Sequence, residues 1–354
     1  MPFRDRHFYL VLLAGLALGG LGAALSLWGN PVNSGICVSC FLENSAGALG
    51  LHDNARMQYL RPELPGFVLG AALSALAFRE FSSRGGSAPL PRLISGVFLI
   101  VGSAVFIGCP IKMVLRLTAG DLTALFGAVG LALGVWVGLR GMTRGVTLGR
   151  AAGQGGASGL LLPALFGLLM AFFLARPAFL LFSETGSAAE HAPWMISLAV
   201  GLILGALAQR TRLCVTGGVR DGLLMGVRAP LAWGLFAFIV AATAVNVFSG
   251  RFQFGLYGQP GAHLDHLWSF LGMGLVGWIS ALIGGCPFRQ LVKAGEGDTD
   301  AGLVVVGMLI GGAIVQSWGV AATAAGVSLA GKVAVLSGLL FVMLSSLFFR
   351  ERTV

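Results

Sequence analysis

Gly108-Cys109-Pro110-Ile111-Lys112, continuing through Arg116 to Gly120-Asp121, returns 177 residues later as Gly285-Cys286-Pro287-Phe288-Arg289, continuing through Lys293 to Gly297-Asp298. Gly, Cys, Pro, Gly and Asp are identical, and the two basic positions survive with Lys and Arg exchanged. The same offset carries Ile36-Cys37-Val38-Ser39 onto Leu213-Cys214-Val215-Thr216. Shared flanks at shared spacings identify a duplication rather than a coincidence of cysteines. The repeats run over about 1–182 and 183–354, and the duplicated chemistry is thiol plus cation.

Outward from these motifs the chain is apolar. Hydrophobic residues make up 56% and charged residues 10%, and the mean hydropathy is +0.87. Soluble domains carry about 25% charged residues, so a soluble globular class is excluded. Runs near the length that crosses a bilayer, roughly 20 residues, fall at 8–28, 64–78, 92–111, 121–139, 160–182, 194–209, 229–248, 267–285, 301–319 and 332–349. The expected architecture is an all-α, polytopic membrane protein of about ten segments, one membrane domain over 1–354. The runs 92–111 and 267–285 lead straight into Cys109 and Cys286, which predicts broken or re-entrant segments there. The 55 glycines suit close approach of membrane helices.

The net charge of +9 needs no nucleic-acid partner. With the N-terminus in the cytoplasm, most Lys and Arg fall on the cytoplasmic side, from Arg4 and Arg6 through Arg79, Arg140 and Arg210 to Arg350 and Arg352. The outer segment 183–193 holds Glu184, Glu190 and no base. That distribution is the positive-inside rule. It predicts a cell (inner) membrane protein with both termini cytoplasmic, in which the Phe8–Trp28 run is an uncleaved first helix, longer than a secretory signal's apolar core. Five segments per half is an odd number, so the halves carry inverted topology, an architecture of secondary transporters. Cys37 and Cys109 then face the outside and Cys214 and Cys286 the cytoplasm.

Helix breaks have local causes. Asn30-Pro31 and Ser34-Gly35 precede Cys37, and Pro110 and Pro287 follow Cys109 and Cys286; proline removes a donor and restrains the residue before it. Irregular backbone inside a membrane is tolerated where it lines a cavity or packs in protein. Lys112 and Arg116, and likewise Arg289 and Lys293, are four apart and can share a helix face. Charges at membrane depth are costly, so these pairs point to a water-filled vestibule holding an anion, with snorkelling to the interface as the plain alternative. Asp121 and Asp298 read as helix caps.

The cysteines admit a structural reading as small buried hydrophobes and a functional one as soft contacts for a sulfur- or selenium-bearing anion, since S–H is a weak donor. Cys37 and Cys40 form a C-x-x-C that raises a membrane thiol–disulfide oxidoreductase as the competing class; Cys40 aligns with Gly217, outside the repeated function. Zinc and copper find no suitable ligand cluster, and no cofactor or enzymatic activity is expected. His52, His191, His263 and His266 fall in loops and read as solvated. The stretch 41–63, with Glu43, Arg56, Arg61 and Glu63, reads as an outer amphipathic helix or lid. Asn246 and Gln316 read as interhelical hydrogen-bonding groups. No carboxylate sits plainly within a span, so a coupling ion has no evident carrier.

The chain resembles the YeeE/YedE family of sulfur-transport membrane proteins, in particular its selenium-linked YedE branch. The resemblance rests on Gly29 to Cys40, Arg61-Pro62-Glu63, Gly108-Cys109-Pro110 with Arg116, Gly284 to Leu291, and Ala294 to Asp300, and spans nearly the whole chain. It implies an all-helical, hourglass-shaped fold with pseudo-two-fold symmetry, in which cysteines along a central path relay thiosulfate inward through S–H contacts. Cys109 and Cys286 match in full motifs, Cys37 matches the outer cysteine position, and Cys214 is supported by the repeat. Cys40 and the Pro after each Gly-Cys are features of this branch. The expected function is uptake of a small selenium- or sulfur-containing anion, with delivery to a soluble sulfur-carrier protein as a further reading.

Overall fold

A computed structural model describes residues 5–350; Arg4, Arg352 and the chain termini lie outside the described residues. The described residues form fourteen α-helices: α1 (Arg6–Leu27), α2 (Val38–Ala48), α3 (Glu63–Ala77), α4 (Pro89–Phe106), α5 (Pro110–Thr118), α6 (Thr123–Thr143) and α7 (Gly156–Ala175), then α8 (Trp194–Thr211), α9 (Val215–Met225), α10 (Pro230–Phe248), α11 (His266–Ile283), α12 (Pro287–Gly295), α13 (Thr299–Ser317) and α14 (Leu329–Phe348). One two-residue antiparallel pair, β1 (Arg84–Gly85) with β2 (Ala152–Gly153), qualifies the all-helical expectation. The bounds of α2, α4 and α5 reappear 177 residues later, residue for residue, as those of α9, α11 and α12.

Among the described residues, nine helical stretches are long and apolar enough to cross a membrane, which makes this a multi-pass membrane protein. The tenth expected segment, α3, is apolar but only 15 residues long. The expected breaks occur. α1 stops at Leu27 and α2 begins at Val38, while α4 and α5, and α11 and α12, are parted at the Gly-Cys-Pro motifs. The expected run 160–182 is corrected: α7 ends at Ala175, because Arg176 adopts left-handed backbone and Pro177 cannot continue the helix.

The main helix pairings join the two halves: α1 with α10, α3 with α8, α4 with α13, and α6 with α11. Glycines make each contact. A Cβ added at Gly15, Gly70, Gly134 or Gly307 would fall 2.1, 2.2, 2.0 and 2.0 Å from the carbonyl oxygens of Gly234, Leu202, Gly274 and Leu93. In water these faces would be driven together by apolar burial; in lipid that drive is absent, and close van der Waals approach replaces it. Successive contacts (Gly130 to Phe270, Gly134 to Gly274) advance together along both helices, so these pairs are parallel.

The central pair differs. Gly102 of α4 lies against Gly272 of α11, and His263, just before α11, donates Nε2–H to the Val105 carbonyl near the end of α4 at 2.7 Å. α4 and α11 therefore run antiparallel, and their C-terminal ends point to opposite faces of the protein. Two cavities follow from that arrangement, one at each end.

Candidate functional site

The first vestibule, about 720 Å³, opens at the C-terminal end of α4 and is lined by Ile107 and Gly108 together with Cys40, Glu43, Arg61 and Lys112. The second, about 770 Å³, opens at the C-terminal end of α11 and is lined by Gly284 and Gly285 with Cys214, Arg220, Arg289 and Lys293. Between them sit the thiols, all five of them free.

Four of the thiols, all but Cys40, occupy the N-cap of a short helix. Cys37 caps α2 in extended backbone, its Sγ accepting from the Cys40 N–H at 3.4 Å and lying 3.3 Å from Ser39 Oγ. Cys214 does the same for α9, accepting from the Gly217 N–H at 3.5 Å and lying 3.0 Å from Thr216 Oγ1. Cys109 and Cys286 stand at the N-caps of α5 and α12 but make no side-chain cap bond. Their Sγ atoms are left for other thiols. Pro110 and Pro287 at the first helical position give up an N–H that would be unpaired anyway. Cys286 Sγ lies 3.1 Å from Cys214 Sγ. Cys37 stands close enough to Cys109 and Cys40 for the three thiols to interact. Cys109 is within electrostatic reach of Cys286, which links the two sets. Four helix N-termini, each carrying partial positive charge, thus meet around one buried cluster of sulfur.

Gly108 and Gly285 prepare this arrangement. Both hold positive φ, +158° and +152°, and an added Cβ would meet Lys112 Cδ at 2.6 Å or Arg289 Cβ at 2.7 Å. The stem of the first basic residue folds back over the glycine, which aims its cation into the vestibule.

The two members of the first basic pair part company, and the expectation for Arg116 is corrected. Arg116 is 1% exposed and lines neither vestibule. Its Nε meets Asp121 Oδ2 at 2.7 Å, Nη1 donates to the Phe106 carbonyl at 2.9 Å, and Nη2 donates to Thr123 Oγ1 at 2.7 Å. The guanidinium also lies over the Phe106 ring at 4.4 Å. It is a buried brace between α4, α5 and α6, because the turn after α5 brings Asp121 directly against it. Asp121 accepts from the Thr123 N–H as well, and Asp298 caps α13 by accepting from the Ala301 N–H at 2.8 Å. Lys293 pairs with Asp298 at 3.3 Å and Arg289 with Glu296 at 2.8 Å, while both still line the second vestibule. Lys112 has no carboxylate within 4.0 Å among the described residues. The position matching Glu296 in the first half is Ala119.

The stretch 41–63 is corrected too. Of its charged residues Asp53 and Arg56 are exposed; Glu43, Arg61 and Glu63 are buried. Arg61 donates to Asn44 Oδ1 and the Ser187 carbonyl, both at 2.9 Å, and lies between the Phe41 and Tyr59 rings. Glu63 accepts from Asn30 and Ser197, each at 2.9 Å. Carboxylates are thus present deep in the fold, against the sequence expectation. Glu43 was legible in one respect, since it stands three residues after Cys40 and so shares its helix face.

Two histidines expected in solvent are buried. His52 Nε2 meets the Glu43 carbonyl at 2.9 Å and His263 that of Val105, while each Nδ1 accepts from a backbone N–H two residues on. Burial lowers the pKa of His263 below the ordinary histidine value, with the Val105 bond opposing. His266 opens α11 stacked on Phe126, and His191 stacks on Tyr59. Asn246 and Gln316 bond across elements as expected, to Thr118 and Glu43. Among the described residues no group of His, Cys, Asp and Glu is arranged to hold a metal ion. A scan against protein-family models and a search of curated proteins found no match.

Proposed function

We propose that this protein is a membrane transporter or facilitator for uptake of a small sulfur- or selenium-containing anion, handed along Cys37, Cys109, Cys286 and Cys214. The observation that carries this reading is the thiol cluster at four helix N-termini between two vestibules at opposite ends of α4 and α11. Helix N-termini favour negative charge, and neutral thiols add weak, polarisable donors suited to a soft anion. A hard anion such as sulfate finds fewer matched contacts.

The two halves are read as inverted-topology repeats, which the antiparallel α4 and α11 support. With the basic loops cytoplasmic in the inner membrane, the first vestibule faces outward. Its Lys112, in no direct ion pair among the described residues, offers a charge for capture. Arg289 and Lys293 in the second vestibule are already balanced by Glu296 and Asp298, which favours release. The resemblance to the YeeE/YedE family points the same way.

The test is uptake into liposomes of thiosulfate, selenite, selenate and sulfate. Expected are uptake of thiosulfate or selenite and its loss in Cys109→Ser and Cys286→Ser; undiminished uptake in both variants removes the cysteine pathway. The bond from the Cys40 N–H to Cys37 Sγ keeps a second reading, thiol–disulfide exchange at Cys37 and Cys40. Cys40→Ser separates the two: exchange requires Cys40, whereas transport through Cys286 does not.

A further inference from the structure

The two vestibules are built on equivalent helices but differ in how their charges are paired. The residue matching Glu43 in the second half is Arg220, just as Arg289 matches Lys112. In the second vestibule every acid meets a base, Arg220 with Asp221 at 2.7 Å and Arg289 with Glu296. In the first, Glu43 and Lys112 line the same cavity and neither belongs to an ion pair among the described residues. Glu43 is 4% exposed, and its Oε2 accepts from Gln316 of α13.

A carboxylate in a chamber that receives anions needs a reason to be there. While the chamber is empty, Glu43 and Lys112 balance each other across it. An arriving anion takes the field of Lys112 and leaves two negative charges in a confined space of low dielectric, where repulsion is strong. We propose that Glu43 takes a proton from the water of the first vestibule when the anion binds, so that capture of the anion and protonation of Glu43 are linked. The inference rests on the anion-transport reading above and adds the proton as a second bound species.

The other titratable groups around Glu43 do not replace it in this role. At the start of its own helix stand Cys37, whose Sγ accepts from the Cys40 N–H, and Cys40, which belongs to the thiol cluster. From α5 comes Lys112, whose cation is the anion's partner. Ahead of α3, His52 is held at both ring nitrogens, and Arg61 is committed to Asn44 and Ser187. Glu63 is engaged by Asn30 and Ser197. Arg289 and Lys293 of α12 are paired with acids. Asp53, Arg56 and Glu190 are exposed to solvent, and α13 presents the uncharged Gln316.

Thiosulfate binding to the purified full-length protein, measured from about pH 5 to about pH 9, tests this, because thiosulfate stays ionised across that range. One linked proton makes wild-type affinity fall about tenfold per pH unit above the titration of Glu43. Glu43→Gln is expected to bind with a flat profile. Wild-type protein in weak buffer is expected to take up about one proton per thiosulfate bound where Glu43 is ionised; this count needs no variant and decides the matter if Glu43→Gln does not fold. Equal slopes in the two proteins, or no proton uptake at any pH, overturn the linkage and leave the transport reading standing. A wild-type protein that binds none of thiosulfate, selenite, selenate and sulfate overturns both.

Discussion

At the scale of residues, the first copy of the motif separates into a cation that faces water and a cation that holds the fold. Lys112 and Arg116 are four apart on one short helix, yet only Lys112 reaches a vestibule. Breaking a buried ion pair by removing one partner costs about 3–5 kcal/mol, so Arg116→Leu or Asp121→Asn should lower thermal stability sharply. Replacing both with apolar residues should recover much of the loss. Lys112→Gln should leave the unfolding temperature nearly unchanged and slow anion uptake. The opposite pattern, a stable Arg116→Leu and an unstable Lys112→Gln, would exchange the two roles. For the thiols, loss of a single contact worth about 1.4 kcal/mol corresponds to tenfold. Cys109→Ser and Cys286→Ser should therefore slow uptake by about tenfold or more, with Cys40→Ser close to wild type.

At the scale of elements, parallel helix pairs depend on glycine because any side chain would collide with the partner's backbone. Gly134→Leu places a Cβ where the Gly274 carbonyl oxygen stands 2.0 Å away, and the α6–α11 contact cannot form without separation. Low yield of folded protein and early thermal unfolding are expected. Gly20→Ala, in the same kind of apolar helix, meets nothing within 4 Å and should be silent. Equal behaviour of the two substitutions would mean that these contacts do not set stability. The short helices α2, α5, α9 and α12 follow another rule: their starts are fixed by cysteine caps and proline, which places the sulfur at the helix end by local geometry.

For the whole molecule, two vestibules that meet at a thiol cluster predict opposite accessibility. In sealed vesicles of known orientation, a membrane-impermeant maleimide applied from one side should label Cys40. Arg220→Cys, made without Cys40, should react from the other side alone. Labelling of both from one face would contradict vestibules on opposite sides of the bilayer. Much of this plan was readable beforehand, because the 177-residue offset and the helix breaks are properties of short segments. The apolar runs were readable for the same reason. The polar interior was not: Glu43 looked like part of a wet outer lid, and its burial depends on Gln316, far along the chain.

The sequence alone determined that helices break beside the cysteines, and that thiol and cation recur together in two matching halves. Those features follow from proline, glycine and apolar composition within a few turns of chain. Only the tertiary structure decided that Arg116 is a brace, that Glu43 shares a cavity with Lys112, and that the two vestibules lie at opposite ends of α4 and α11. Each of those outcomes depends on which distant backbone comes close enough to supply a partner or leave one out, and hydropathy summed along a segment does not contain that information.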